Sequence, residues 1–275
     1  MQSSSAKVTN EIPLVLTRYL YIKHDVYASL LFAILQKDYD QALFWGCELY
    51  YSGWKLDACS FVFSVYCQWF KPLNHPGLYE YMDKLQDRFE EGLHILATMI
   101  KNITMPWLQW TSEYFLKHQI DTPIPSHELY RKKCIIIRVE TYQVDHHKTV
   151  ESSAKLPPRK LLQHVCHYST EKQYMEVFGC IHTSIPKAIL VEHHLSHWLY
   201  YAGMYTPVWI DRLREHRGIV DTNSKTVCFA DDDDSEAFDA KYDYDLDEQP
   251  LDLQEKLIHI RVIPQCTEDE LRSRL

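Results

Sequence analysis

RYLYIKHDV at residues 18–26 and ALFWGCELYYSGW at residues 42–54 are the two stretches that decide the fold. Apolar residues between and within them recur at the three- and four-residue spacing of a helix that buries one face. In the first stretch and its continuation these residues are Val26, Leu30, Leu31, Ile34 and Leu35. The spacing predicts a helix over residues 26–37 and a second helix that ends at Ser52.

The helix ends carry their own signals. Asp25 is placed to cap the first helix, and Asp38 followed by Gln41 resembles a capping box for the second. Gly53 then predicts a left-handed residue at the helix end. Because almost nothing joins the two helices, we expect them to be antiparallel neighbours. The expected core of this hairpin contains Leu31, Leu35, Leu43, Trp45 and Leu49.

The two opening stretches resemble a family of conserved, functionally uncharacterised proteins encoded by large nucleocytoplasmic DNA viruses, the giant viruses. In that family an RYLY-KDEV-like opening leads to an ALFWA-ELYYSGF-like stretch, and His24-Asp25 and Trp54 are the departures here. AGMYTPVW at residues 202–209, with Arg212 after it, is similar to the same family in the second half of the chain. The resemblance implies a viral origin and a helical protein, and it implies no activity.

The remaining periodicity predicts further helices, over residues 55–70, 78–89, 93–103, 106–117, 159–168, 187–202 and 207–216. Four prolines interrupt residues 121–160, and the β-branched run at residues 134–139 has no evident strand partner, so we expect a short buried helix there. LYYSGW at residues 49–54 is echoed by LYYAGM at 199–204, which suggests a duplication and predicts that Gly203 ends its helix as Gly53 does.

These patterns together predict an all-α fold, a multi-helical array or irregular bundle of antiparallel helices. The expected segments are a flexible N-terminus (1–12), an N-terminal helical domain (13–120), an irregular linker or arm (121–160) and a second helical segment packed on the first (161–218). An acidic C-terminal region with short terminal helices (219–275) completes the chain. No stretch approaches ~20 uninterrupted apolar residues, and the polar start lacks the pattern of a secretory leader. We therefore expect neither a membrane span nor secretion.

Charge is distributed unevenly along the 275 residues. The net charges of residues 1–120, 121–218 and 219–275 are −2, +3 and −10. Residues 231–248 hold ten carboxylates against one lysine, which predicts a solvated, mobile tail. Such a tail could bind a basic protein partner through Asp231, Asp232, Asp233, Asp234 and Glu236, or act only to keep the chain in solution. The nearly neutral body makes nucleic-acid binding there an unfavoured interpretation, although Arg131-Lys132-Lys133 and Arg159-Lys160 form small basic clusters.

The eight cysteines are scattered irregularly, which favours a reducing compartment over a disulfide framework. The stretch of residues 164–197 is rich in thiols and imidazoles, and two of its histidines lie four positions apart, a spacing suited to zinc. The candidate metal ligands are Cys166, His167, Cys180, His182, His193 and His197. Their spacing matches no established zinc motif, so buried or interfacial histidines are the competing interpretation.

Catalytic signatures are absent from the sequence. The seven glycines form neither a GxGxxG nor a Walker A string, and no cysteine or histidine lies within a nucleophile motif. The sequence therefore predicts a non-enzymatic binding or scaffold protein without a cofactor. The family resemblance implies that it is located inside the infected host cell or in the virion. The alternative is a zinc-binding protein, which could be an enzyme, built on residues 164–197.

Overall fold

The computed structural model describes residues 14–71, 74, 76–105, 136–148, 156–170 and 187–258. Within these ranges the protein is all-α and multi-helical, as the sequence predicts, with one two-stranded hairpin. The expected flexible N-terminus at residues 1–12 and the expected helix at residues 106–117 lie outside the described residues.

The first two helices form the predicted antiparallel hairpin. Helix α1 covers Lys23–Leu35 and α2 covers Tyr39–Tyr51. The side chain of Asp38 accepts a hydrogen bond from the Gln41 amide over 3.0 Å, which confirms the predicted cap of α2. Asp25 does not cap α1, because the helix starts two residues earlier and Asp25 lies buried in its first turn.

The predicted core of the hairpin is confirmed. Trp45 and Leu49 are fully buried, Leu31 and Leu43 are almost so, and Leu35 is half-buried. Trp45 packs edge-on against Tyr21, with ring centroids 5.1 Å apart, so the RYLY stretch covers one face of α2.

Three more helices complete the N-terminal half. Helix α3 covers Lys55–Val65 and continues as a π-helical turn over Tyr66–Phe70. Helix α4 covers Pro76–Gln86, and a 3₁₀ turn at Phe89–Glu91 leads to α5 at Leu93–Thr104. Nearly every residue of α5 is buried, because α5 packs against α1, α2, α3 and α4 and lies at the centre of this half.

The prediction of a short helix in the β-branched run is wrong for its described part, residues 136–139. Residues 136–140 form no helix, and Glu140 has extended backbone angles. Ile137 and Val139, two positions apart, bond to side chains one helical turn apart, so this extended segment runs along α5. The Asn102 side chain donates to the Ile137 carbonyl over 2.7 Å and accepts from the Ile137 amide over 3.0 Å. The Thr98 hydroxyl accepts from the Val139 amide over 2.9 Å. Side chains of α5 thus supply the partners that a second strand would otherwise provide.

The short helix α6 (Thr141–Val144) and a 3₁₀ turn (Asp145–His147) follow this segment. Glu140 and Gln143 form a reciprocal capping box at the start of α6. Helix α7 covers Pro158–Val165 and has proline in its first turn, where the missing N–H costs nothing.

The next two helices meet the hairpin. Helix α8 covers Lys187–Tyr205, with a kink at His197, and α9 covers Pro207–Glu215. The Val208 amide donates to the Ser52 carbonyl over 3.2 Å, and the Trp209 indole donates to the Thr17 carbonyl over 3.2 Å. The imidazole Nε2 of His194 lies 2.7 Å from the carbonyl oxygen of Leu20.

The two echoed hexapeptides behave differently. Gly53 has a φ of +102°, as predicted for a helix end. Gly203 lies inside α8, so the prediction that it ends a helix is wrong. A Cβ at Gly203 would lie 2.5 Å from Cδ1 of Leu213, which shows that this glycine serves the close packing of α8 on α9.

The C-terminal region is ordered where it is described. Strands β1 (Ile219–Asp221) and β2 (Thr226–Cys228) pair antiparallel, and α10 (Asp232–Tyr242) follows. A 3₁₀ turn at Leu246–Glu248 and α11 at Leu251–Ile258 complete the described chain.

The expectation that residues 231–248 form an unstructured tail is wrong, although most of their carboxylates are exposed as predicted. The acidic run forms α10 and the turn after it, and three of its large apolar side chains are buried. Phe238, Tyr244 and Leu246 are each at most 1% exposed. These three side chains bury apolar surface and so stabilise the segment, an effect that the net charge of the run does not indicate.

Candidate functional site

The Cys/His residues predicted to bind zinc lie on two separate elements. Cys166 and His167 directly follow α7, whereas His193 and His197 are one turn apart on α8. Burial raises the pKa of the Cys166 thiol well above its usual range. The thiolate that zinc requires is therefore disfavoured at this position.

His193 and His197 have ring centroids 6.4 Å apart. Nδ1 of His193 lies 2.7 Å from the Tyr201 hydroxyl, which fixes the orientation of the ring. Among the described residues, no three His, Cys, Asp or Glu side chains are grouped so that they could hold a metal ion. Cys180 and His182 lie outside the described residues, so the zinc site stays a prediction.

The acidic residues predicted to bind a partner occupy the start of α10. Asp231 caps the helix by accepting from the Asp234 amide over 3.0 Å. Arg217 pairs with Asp231 over 2.8 Å and with Asp234 over 2.6 Å. Asp232, Asp233 and Glu236 are exposed. Two of the five carboxylates are thus engaged within the chain, at the helix end where negative charge is favourable.

A cleft of about 570 Å³ lies next to α2 of the hairpin. Its walls are the turn at Arg18 and Tyr19, the first half of α2, Lys101 of α5, the extended segment 137–139 with the turn after it, and the end of α7. The ionisable side chains of the walls, apart from Cys47 and the tyrosines, are Arg18, Asp40, Lys101, Arg138, His146, His147, His164 and His167.

Arg18 is fixed in the wall of the cleft by hydrogen bonds and by contacts with aromatic rings. Its Nε donates to Oε1 of Glu48 over 2.9 Å, and its Nη1 donates to the His147 carbonyl over 3.3 Å. The guanidinium carbon lies 4.4 Å from the ring centre of Tyr19 and 4.8 Å from that of Tyr51. Burial alone would lower the pKa of Arg18, but the Glu48 carboxylate raises it above the ordinary value. The cleft therefore holds a permanent cation.

His147 lies next to this cation. Burial, His146 and Arg18, in that order, lower the pKa of His147 to about 4. The two imidazoles are in contact, with ring centroids 4.0 Å apart and planes inclined at 37°. His147 is consequently neutral at neutral pH, mainly because its ring is buried, and the neighbouring positive charges add to this effect.

The remaining charges of the walls are mostly positive. Lys101 places its ammonium 3.8 Å from the centre of the Tyr39 ring, and Arg138 is exposed on the extended segment. Asp40 is the one carboxylate among the described residues that line the cleft. Burial raises the pKa of the Cys47 thiol far above its usual range, so this lining cysteine is a poor nucleophile.

The sequence patterns did not predict this cleft, although His167, one of its lining residues, was a candidate metal ligand. The walls come from segments separated by up to about 150 residues, and no short motif joins them. One signal was available: Glu48 is the one charged residue of the otherwise mostly apolar or aromatic stretch at residues 42–54. A charge within a core-forming stretch indicates a buried pair.

Comparisons with protein-family models, with curated proteins and with solved structures found no match to this chain. In the described part of the chain, no helix has the length and apolar character needed to cross a membrane.

Proposed function

We propose that this chain is a non-enzymatic helical binding or scaffold protein encoded by a large DNA virus. The viral origin follows from the resemblance of the RYLY and ALFW stretches. The observation that carries the binding role is the cleft, whose volume of about 570 Å³ lies within the range of small-molecule sites in proteins.

The chemistry of the cleft favours binding over catalysis. A general base works best with a pKa near the working pH, and the pKa of His147 is about 4. A cysteine nucleophile works as the thiolate, which the burial of Cys47 disfavours. Arg18 is engaged by Glu48 and by the His147 carbonyl, which suits a fixed recognition surface.

The test is ligand-observed NMR with the full chain and a panel of small anionic, cationic, aromatic and peptide compounds. We expect at least one class of compound to bind the wild-type protein. An anionic compound should bind the charge-reversed variant Arg138→Glu less tightly than the wild type, and a cationic compound should bind it more tightly. Lys84→Glu, an exposed charge reversal on α4, is the control. Binding that is identical in both variants, or no binding by any class, contradicts a binding role for the cleft.

The zinc-binding alternative has a narrower basis in His193. Its Nδ1 lies 2.7 Å from the Tyr201 hydroxyl, and His197 is one turn away with ring centroids 6.4 Å apart. Elemental analysis of the purified protein decides this alternative. Stoichiometric zinc that is lost in His193→Ala would support it, and zinc-free protein that stays zinc-free after incubation with the metal would exclude it.

A further inference from the structure

The cleft carries a local charge opposite to that of the whole chain. The chain has a formal net charge of −9, yet Arg18, Lys101 and Arg138 line the cleft against Asp40 alone among the described lining residues. Glu48, which neutralises part of the Arg18 charge, is fully buried and does not line the cleft. Arg18 is itself only 5% exposed, so the charge that a ligand meets comes mainly from Lys101 and the exposed Arg138, and an anion is favoured.

Aromatic rings form the other part of the walls. Phe44 and Tyr168 have ring centroids 5.1 Å apart and are inclined at 66°, and both are half-buried. His167 contacts the edge of this pair, with its ring 6.1 Å from that of Phe44. Exposed ring surface of this kind stacks on planar ligand groups. The exposed carboxylate of Asp40 can accept a hydrogen bond from an amine on such a group.

We propose, on the basis of the binding role proposed above, that the cleft binds a free nucleotide, with the phosphate held by the cationic side chains and the base against the aromatic rings. A volume of about 570 Å³ suits one such molecule. A longer nucleic acid is disfavoured because its further phosphates would meet a body with almost no net positive charge and a C-terminal region of net charge −10.

Isothermal titration of the full chain tests this assignment with five probes: AMP, ATP, adenosine, inorganic phosphate and an eight-residue oligothymidylate. We expect AMP or ATP to bind, and adenosine and phosphate each to bind at least tenfold more weakly. Rising salt should weaken the binding, because ionic contacts to phosphate are screened.

The matched variants are Arg138→Glu in the cleft and Lys84→Glu on α4, which change the same charge at exposed positions. Arg138→Glu should reduce nucleotide affinity at least tenfold, and Lys84→Glu should leave it unchanged. Circular dichroism verifies that both fold, and Lys101→Gln provides a second cleft variant with the same expected direction.

Several results would overturn the assignment. Adenosine binding as tightly as AMP would remove the role of the phosphate, and tighter binding of the oligonucleotide would assign the cleft to nucleic acid. Equal nucleotide affinity in both charge variants would place the site elsewhere. Failure of all five probes, with another compound class bound in a way that depends on Arg138, would reject the nucleotide while preserving the binding role of the cleft.

Discussion

Arg18 and Glu48 form a buried ion pair across 30 residues of sequence, with Nε of Arg18 2.9 Å from Oε1 of Glu48. The pair joins the RYLY turn to α2. The turn is also held by the Arg18 amide, which donates to the Ser52 hydroxyl over 2.8 Å. Ser52 in turn donates to the Glu48 carbonyl over 2.5 Å. One network thus connects the two stretches that decide the fold, and its Arg18 lines the cleft.

Glu48→Gln should destabilise the protein strongly, because it leaves the guanidinium buried without its counter-charge. Breaking a buried pair in this way costs about 3–5 kcal/mol of unfolding free energy. Urea denaturation measures the loss. Glu91→Gln, in the exposed Arg88–Glu91 pair, is the matched control and should change the midpoint little.

The double variant Arg18→Met/Glu48→Leu should recover much of that loss, since apolar residues of similar volume often replace a buried pair without penalty. If Glu48→Gln and Glu91→Gln have the same midpoint, Glu48 does not stabilise the fold through this pair.

Local signals in the sequence predicted the hairpin well. The Asp38 cap and the positive φ of Gly53 depend on residues within one turn of one another, and the burial of Trp45 follows from the helical spacing of the apolar residues. The extended segment at residues 136–140 could not be predicted in this way. Its partners are the side chains of Thr98 and Asn102, about 35–41 residues earlier, and no periodicity records such a contact.

The acidic tail shows a second limit of sequence reasoning. With ten carboxylates in 18 residues, the average composition of the run is that of a hydrophilic segment, and its few apolar residues do not change that average. The structure depends on position instead, because Phe238, Tyr244 and Leu246 are buried while Asp232 and Asp233 face solvent. The cleft was missed for a related reason, since its walls come from five separated parts of the chain.

Gly53→Ala should destabilise the protein by more than the ~1 kcal/mol typical of a helix-end glycine. Two effects add: the φ of +102° is unfavourable for alanine, and the new Cβ would lie 2.5 Å from Cβ of Pro207. Gly92→Ala is the matched control, because Gly92 has a φ of +147° but its new Cβ would meet only the movable His94 side chain. Thermal denaturation compares the two, and equal losses would show that the contact with Pro207 adds nothing.

Asn102→Leu should release the extended segment from α5. The substitution removes the donor to the Ile137 carbonyl and the acceptor for the Ile137 amide. Hydrogen exchange at Ile137 should become faster, while exchange in α2 changes little. Thr104→Val is the control, because among the described residues its hydroxyl bonds to carbonyls of its own helix, at Ile100 and Lys101. Unchanged protection of Ile137 in Asn102→Leu would contradict this role of the amide.

Phe238→Ala should destabilise the protein by about 3–5 kcal/mol, the usual cost of truncating a buried phenylalanine. The ring is 1% exposed and lies 5.1 Å from the ring of Phe229. Asp232→Asn, at an exposed position of the same helix, should have little effect. Deletion of residues 231–248 should likewise lower the melting temperature. A melting temperature unchanged by both Phe238→Ala and the deletion would restore the view of a dispensable tail.

The pKa of His147 predicts a loss of stability in acid. An ordinary histidine has a pKa of 6.5, and in the folded protein burial, His146 and Arg18 lower that of His147 to about 4. Between these values the unfolded chain binds a proton that the folded chain does not, so unfolding becomes more favourable as the pH falls from about 6.5 to 4. Above this window the stabilisation by neutral His147 is fully present.

His147→Gln should remove this contribution, so the stability difference between wild type and variant should shrink as the pH falls through the same window. Urea denaturation at a series of pH values measures it. His146→Gln removes one of the groups that lower the pKa, so NMR titration should then find the His147 imidazole pKa closer to 6.5. A wild-type His147 that already titrates near 6.5 would show that the positive field of Arg18 and His146 does not act on it, and the stability difference would then have no reason to vary with pH.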